Sequence, residues 1–367
     1  MSAADATDRA RLGELFAELC AIESPSGRER ACADRVAGEL GALGLACEGD
    51  AAGNLLARLP SASGGGEGGV LLCAHLDTVP LTGPVEPVCE DGFWLNRHDA
   101  ILGADNKAAV AVMLLAARRW VAEPPPVPFE LLFTVGEERA LEGAKAFDVT
   151  RLRSRFGYVF DHATPIGDVI LGSPYYHRIV AELRGVAAHA GIQPELGRSA
   201  IAAAARAIAV MPLGRLDEET TANVGTISGG AGINVVPERC RVEAEARSLD
   251  EVKVEALVTE LVDHLQDGAN AAECDLDVIV ERLFHGYRIK PSAPEVQAAE
   301  AALRACGYEP RHIVTGGGSD ANALIAAGFP CLNLANGTER PHQPDERVAV
   351  SALEGMLDVA LALPDAC

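Results

Sequence analysis

The sequence predicts an α/β protein with a mainly parallel central sheet, into which a smaller ferredoxin-like α+β domain is inserted. Three observations carry this. Up to about Phe160, apolar strand-like runs alternate with segments of helical spacing, the pattern of a sheet covered on both faces. From about Tyr175 to His285 the order becomes β-α-β-β-α-β, the split βαβ plan. Beyond it the first pattern resumes. The expected bounds are 1–174 and 286–367 for the main domain and 175–285 for the insert.

In the main domain, Asp8 to Cys20 and Gly27 to Leu43 carry helical spacing, and Asn54 to Leu59 and Gly69 to Ala74 read as strands. The Gly-rich, polar stretch Ser61 to Gly68 reads as a mobile loop tip. Ala108 to Trp120 is a predicted helix, apolar throughout from Ala108 to Ala117, so it should be buried. Pro124, Pro125, Pro126 and Pro128 break the chain before the strand Phe129 to Val135, and Tyr158 to Phe160 is a further short strand. In the insert, strands are expected at Tyr176 to Arg184, Asn223 to Ser228, Arg241 to Arg247 and Asp275 to Glu281. Helices are expected at Arg198 to Val210 and Glu251 to Gln266. The main domain then returns with a helix near Ala293 to Cys306 and a strand near Cys331 to Leu334.

Composition narrows the function classes. A formal charge of −22 over 367 residues argues against nucleic acid and anionic membrane as partners. The ten cysteines form no C-x-x-C pair, which argues against a zinc ribbon or a thioredoxin-type site. Asp5, Asp8, Arg9 and Arg11 stand where a leader would be apolar, so a reducing cytoplasm with free thiols is expected. The longest apolar run is too short to span a bilayer.

Five segments place polar clusters where strands or helices end. In Leu71-Leu72-Cys73-Ala74-His75-Leu76-Asp77, the i, i+2 spacing on extended chain points His75 and Asp77 the same way, and a carboxylate beside a ligating imidazole can hold its other ring nitrogen. An ordinary strand end would look the same. Asp105 in Gly103-Ala104-Asp105-Asn106-Lys107 precedes an apolar helix, where an N-cap is the simple reading. Glu137 and Glu138 follow a buried strand directly. Side by side they repel unless a positive charge sits with them, or else they mark a solvated helix start. Asp161 ends the Tyr158-Val159-Phe160 strand. His342 lies between Pro341 and Pro344 in a loop that runs on to Asp345 and Glu346.

Each motif is weak alone, and their sum is informative. His75, Asp105, Glu138, Asp161 and His342 supply two imidazoles and three carboxylates. If Asp105 bridges, each of two ions receives one His, one terminal carboxylate and the shared one, with room for a water. Mixed N/O donors without sulfur suit Zn, Co or Mn better than Ca or Mg. Glu137 is then a general base. The chain has no phosphate loop and no G-x-S-x-G elbow. Gly316-Gly317-Gly318-Ser319-Asp320 could grip an anion through the N–H groups of Gly317 and Gly318, or be a turn that needs glycine.

These motifs, in this order, resemble the dinuclear zinc metallopeptidases that include peptidase T, carboxypeptidase G and succinyl-diaminopimelate desuccinylase. The peptidase T-like branch is nearest. That likeness rests on Ala188-His189-Ala190-Gly191-Ile192-Gln193-Pro194, Leu213-Gly214-Arg215-Leu216-Asp217, Asn223 to Gly230, Ile233-Asn234-Val235-Val236-Pro237 and Glu245 to Asp250. The resemblance implies metal ligands at His75, Asp105, Glu138, Asp161 and His342, with Glu137 as base and Asp77 behind His75. It also implies a cis peptide bond at Asp105–Asn106. The insert would be a lid and the dimerisation surface of a homodimer. His189 would stabilise the oxyanion in the partner subunit's site, and Arg247 and Asn234 would hold a substrate carboxylate or carbonyl. Gly316 departs from the Arg of family tripeptidases, which implies looser length discrimination. Aminopeptidase action on short peptides is the expected function. A deacylase or carboxypeptidase acting on N-acyl amino acids is the alternative. A non-catalytic metal-binding protein is the reading from another class, against which the intact Glu137 and full ligand set argue.

Overall fold

A computed structural model describes residues 4–65 and 68–367 of the protein. The chain divides into two compact units. One comprises the chain up to Leu171 with Ile289–Val314 and Gly318–Cys367; the other comprises Gly172–Arg288 with Thr315–Gly317. The short Thr315–Gly317 segment, read from the sequence as part of the main domain, joins the second unit. Its bonds explain this: Thr315 N–H donates to the Gly172 carbonyl, and Ser173 Oγ donates to that of Gly317 at 2.8 Å.

The first unit is built on a mixed sheet. Its strands run Cys47–Gly49, Leu55–Leu59, Phe129–Thr134, Val70–His75, Phe156–His162, Cys331–Ala335, Asp168–Ser173 across the sheet. The middle strands Phe129–Thr134, Val70–His75, Phe156–His162 and Cys331–Ala335 are parallel; the flanking pairs are antiparallel. Val70–His75 and Phe129–Thr134 are buried at every residue, as their continuous apolar runs require of strands covered on both faces. The helix Ala104–Ala122 lies against Val70–His75 and against the helices Ala6–Cys20 and Val350–Ala366. It buries Ala108 through Ala117 all round. Each Val or Leu so buried contributes about 1.5–3 kcal/mol, enough to make the strand–helix pair a rigid base for what it carries. Helix Ala6–Cys20 starts on an Asp5 cap, whose carboxylate accepts from the N–H groups of Thr7 and Asp8, and buries Leu12, Leu15, Phe16 and Leu19 along one stripe.

A second, antiparallel sheet of short strands was not expected. It runs Thr338–Glu339, Arg347–Ala349, Phe93–Asn96, Pro87–Glu90. Asp91 and Gly92, both at positive φ, close its hairpin, the Asp-Gly turn such hairpins favour. The sheet pins both ends of the loop that carries His342. Within Ser61 to Gly68, where a loop tip was expected, Gly66 and Glu67 lie outside the described residues; Ser61 N–H donates to the Gly65 carbonyl.

The second unit has strands in the order Gly214–Arg215, Thr220–Gly229, Arg239–Ser248, Tyr175–Arg184, Asp275–Phe284, all neighbours antiparallel. Strand Arg239–Ser248 shows the period of two: Cys240, Val242, Ala244 and Ala246 face inward, Arg241, Glu243, Glu245 and Arg247 do not. The helices Ala200–Ile208 and Glu251–Ala271 cover that face with Ala203, Ala204, Ala207, Leu257, Leu261 and Leu265. The ferredoxin-like insert is thus present. Among the described residues no helix is long and apolar enough to cross a membrane, and the ten cysteines are free.

Candidate metal centre

The parallel strands all end on one edge of the first sheet, which is where α/β proteins place their sites. His75 closes Val70–His75 in register with Thr134, and Asp161 lies near the end of Phe156–His162. His75 is buried. Its Nδ1 stands 3.0 Å from the Asp77 backbone carbonyl. A carbonyl only accepts, so Nδ1 carries a proton and Nε2 is the ring nitrogen turned to the acids.

Asp77 therefore supports His75 differently from the sequence expectation. Its carbonyl takes the ring hydrogen bond, while its carboxylate stands 3.5 Å from Nδ1. That carboxylate accepts from Ser26 Oγ at 2.6 Å, Glu137 N–H at 3.0 Å and Glu138 N–H at 3.1 Å. It thus shapes the turn Glu137–Arg139 that follows Phe129–Thr134. Glu29, the residue that precedes helix Arg30–Ala42, accepts from Gly136 N–H at 3.1 Å and braces the same turn.

Asp105 sits where the long helix begins, in non-helical backbone (φ −81°, ψ 104°), and the Asp105–Asn106 bond is cis. Its Oδ1 is 3.4 Å from His75 Nε2 and its Oδ2 is 3.5 Å from His342 Nε2. Asp161 Oδ1 is 3.7 Å from His75 Nε2, and Glu138 Oε1 is 2.8 Å from His342 Nε2. Two triads result: His75, Asp105 and Asp161, and Asp105, Glu138 and His342, each with ligand atoms within 4.8 Å of one another. Asp105 belongs to both. A third close set, His75, Glu137 and Glu138, brings Glu137 into the same cluster.

The electrostatics suit divalent cations. Burial pushes Glu137 well above the ordinary carboxylate value, and the charges of Asp161, Asp320 and Glu138 add to this. Burial, then the charge of Asp105, raises Asp161 to about 7. Hydrogen bonds to Asp105 and Glu138 raise His342 to about 10. Burial opposes a charge on His75, yet the carboxylates of Asp105, Asp161 and Asp77 beside the ring outweigh it and the imidazole is raised too. So the acids crowd one another and the imidazoles are drawn toward protonation. In addition, Asp105 Oδ1 is buried without a hydrogen-bond donor. Cations between these groups would satisfy that oxygen and balance the acids, and the donor set of two imidazoles and carboxylates fits them.

Several supporting residues were not visible in the sequence. Asn333 and Asp161 bond reciprocally: Asp161 N–H donates to Asn333 Oδ1, and Asn333 Nδ2 donates to the Asp161 carbonyl, both at 3.0 Å. Asp320 is buried, accepts from Thr134 Oγ1, and is raised by burial to about 6. Glu346 accepts from the backbone beside Asp105. The signals were faint: a buried Asn in an apolar strand, and an acid four residues after His342.

The remaining predicted residues lie in the second unit, except Gly318. His189 and Asn234 are exposed neighbours; His189 pairs with Val235, and Ala190 N–H donates to the Asn234 carbonyl. Arg247 lies over the Tyr176 ring at 3.9 Å, donating to Glu245 Oε2 and to the Gly316 carbonyl, each at 2.9 Å. Gly317 N–H is engaged by Thr315 Oγ1 at 3.0 Å, so it is not free to grip an anion as the glycine-rich turn had suggested. The helix that follows Gly318 is the short Asp320–Ala326.

Residues 71–365 match the peptidase family M20/M25/M40. The uncharacterized protein YqjE of Bacillus subtilis is 34% identical over 96% of this chain and 97% of its own. The crystal structure of aminopeptidase PepT from Bacillus cereus is 34% identical, with a TM-score of 0.88 over 98% of both chains. That of a tripeptidase from Staphylococcus aureus is 33% identical, with a TM-score of 0.91 over 97% of both.

Proposed function

The chain belongs to peptidase family M20/M25/M40 and is a peptidase; from that premise we propose that it is an aminopeptidase of short peptides that works with two divalent ions. The ions, zinc with Co or Mn as alternatives, would be held by His75, Asp105, Glu138, Asp161 and His342. One observation carries this reading above the rest: the two oxygens of Asp105 face two different imidazoles, at 3.4 and 3.5 Å. The likeness to an aminopeptidase and a tripeptidase over nearly their whole length supports the substrate class.

When bound, such ions polarise the scissile carbonyl and lower the pKa of water. The chain supplies the rest. Glu137, next to the ligand Glu138 and set by Asp77, takes a proton from the attacking water and passes it to the leaving amine. Arg247, its plane fixed by Tyr176 and two hydrogen bonds, offers its remaining N–H groups to a substrate carboxylate. With Asn234 it makes the second unit a lid, and we assign that unit the contact of a homodimer in which His189 serves the partner's site as oxyanion donor. Gly316 adds no cation, so length discrimination is loose. The free thiols suit a reducing cytoplasm.

The test compares kcat/KM for a tripeptide, its N-acetylated form and the matching N-acyl amino acid, on protein loaded with zinc or cobalt. The free tripeptide should be much the fastest, and Arg247→Ala should mainly raise KM. Faster cleavage of the N-acyl amino acid would replace this reading with a deacylase.

A further inference from the structure

Glu346 is 1% exposed and forms no ion pair among the described residues. Its carboxylate is instead wrapped by backbone. Oε2 accepts from Leu102 N–H at 2.9 Å and Gly103 N–H at 2.8 Å; Oε1 accepts from Asp105 N–H at 2.9 Å. Three N–H groups within four residues converge on one anion, as in a backbone nest. The turn they form departs from helical geometry. Gly103 is left-handed at φ 76°, and a Cβ there would stand 3.2 Å from Thr78 Cγ2. Asp105 itself is non-helical. These three bonds hold the backbone on which the Asp105 carboxylate is carried, just where it departs from helical geometry.

Glu346 has a second attachment. It closes the loop that starts at His342, its own N–H donating to the Gln343 carbonyl at 3.0 Å, and the next residue enters strand Arg347–Ala349. One side chain therefore ties the loop bearing His342 to the turn bearing Asp105, two groups whose side chains meet at 3.5 Å. A buried carboxylate without a cation is expensive to keep, and a plain cap would be served by a neutral Ser or Asn.

We propose that Glu346 is the positioning residue of the metal centre: it locks Asp105 in the bridging orientation and holds His342 in register with it. The inference rests on the two-ion reading above. Since Asp105 serves both triads, losing the lock weakens both ions together, by about the 10–100-fold typical of residues that orient ligands.

The test is a zinc titration against a competing chelator on the metal-free full chain. Glu346→Gln is isosteric, but its amide must turn an NH2 toward one of the three N–H donors. Glu346→Asp keeps the charge one methylene short and serves if the Gln variant folds poorly. The unmodified chain should take two equivalents, and both variants should bind both ions about 10–100-fold more weakly, with circular dichroism unchanged. A core variant such as Leu40→Ala, destabilised elsewhere, should bind as the unmodified chain does. Affinity within twofold of the unmodified chain for both ions would overturn the lock while leaving the two-ion reading intact. An unmodified chain that takes only one equivalent would overturn that reading instead. Hydrogen exchange on the unmodified, metal-free chain gives an independent check: Leu102, Gly103 and Asp105 amides should already be protected, and free exchange until metal is added would also overturn the lock.

Discussion

Replacing Asp77 by Asn tests how the Glu137–Arg139 turn is held. The carboxylate is fully buried and accepts three hydrogen bonds, from Ser26 Oγ and from the N–H groups of Glu137 and Glu138. Asn offers one oxygen. Placed at the Oδ2 position it keeps Ser26 and Glu138 and turns its NH2 toward the Glu137 N–H, donor against donor. A lost bond with a buried donor left unsatisfied costs about 1–3 kcal/mol. If that cost falls on the Glu137 turn in the transition state, kcat drops about 5- to 150-fold. The His75 ring bond goes to the Asp77 backbone carbonyl, which Asn retains, so metal content should hold. The assay is kcat at saturating peptide and saturating zinc, with metal content measured on the same sample. A variant with kcat within twofold of the unmodified chain would refute the role given to this carboxylate; loss of zinc with kcat restored by excess metal would show that Asp77 acts through His75 instead.

Other outcomes follow from the same geometry. Glu137→Gln should keep two zinc equivalents and lose kcat by about 10²–10⁴-fold, the usual worth of a general base; activity near the unmodified level would remove Glu137 from that role. His342→Ala should weaken one ion and spare the other, because His342 belongs to one triad, whereas Asp105→Asn should weaken both; metal titration distinguishes the two patterns. Homodimers of His189→Ala and of Glu137→Gln should each be nearly inactive, and mixing them should restore part of the activity. No recovery in demonstrated mixed dimers would dismiss the in-trans role of His189.

Much of this was legible in the sequence because the chemistry sits at element ends. His75 and Asp161 follow apolar runs that could only be buried strands, Glu137 and Glu138 follow another, and parallel strands bring such ends to one edge. The insert was legible from period-two strands such as Arg239–Ser248 and from its element order. What was hidden depends on backbone partners far away. Glu346 binds N–H groups 241 to 244 positions distant, and no local pattern announces that. Asn333 is a polar break in an apolar strand until its pairing with Asp161 is seen. The small sheet escaped because strands of two to four residues are too short to show a period. The role first given to the Asp77 carboxylate was redistributed because an i, i+2 spacing does not say whether side chain or carbonyl reaches the ring.

Anomalous scattering at the zinc edge from crystals of the zinc-loaded protein tests most directly the bridging role proposed for Asp105. Two peaks about 3.5–4 Å apart are expected, one beside His75 and Asp161, the other beside Glu138 and His342, with the Asp105 carboxylate between them. A single peak at full activity, or two peaks that do not share Asp105, would contradict it.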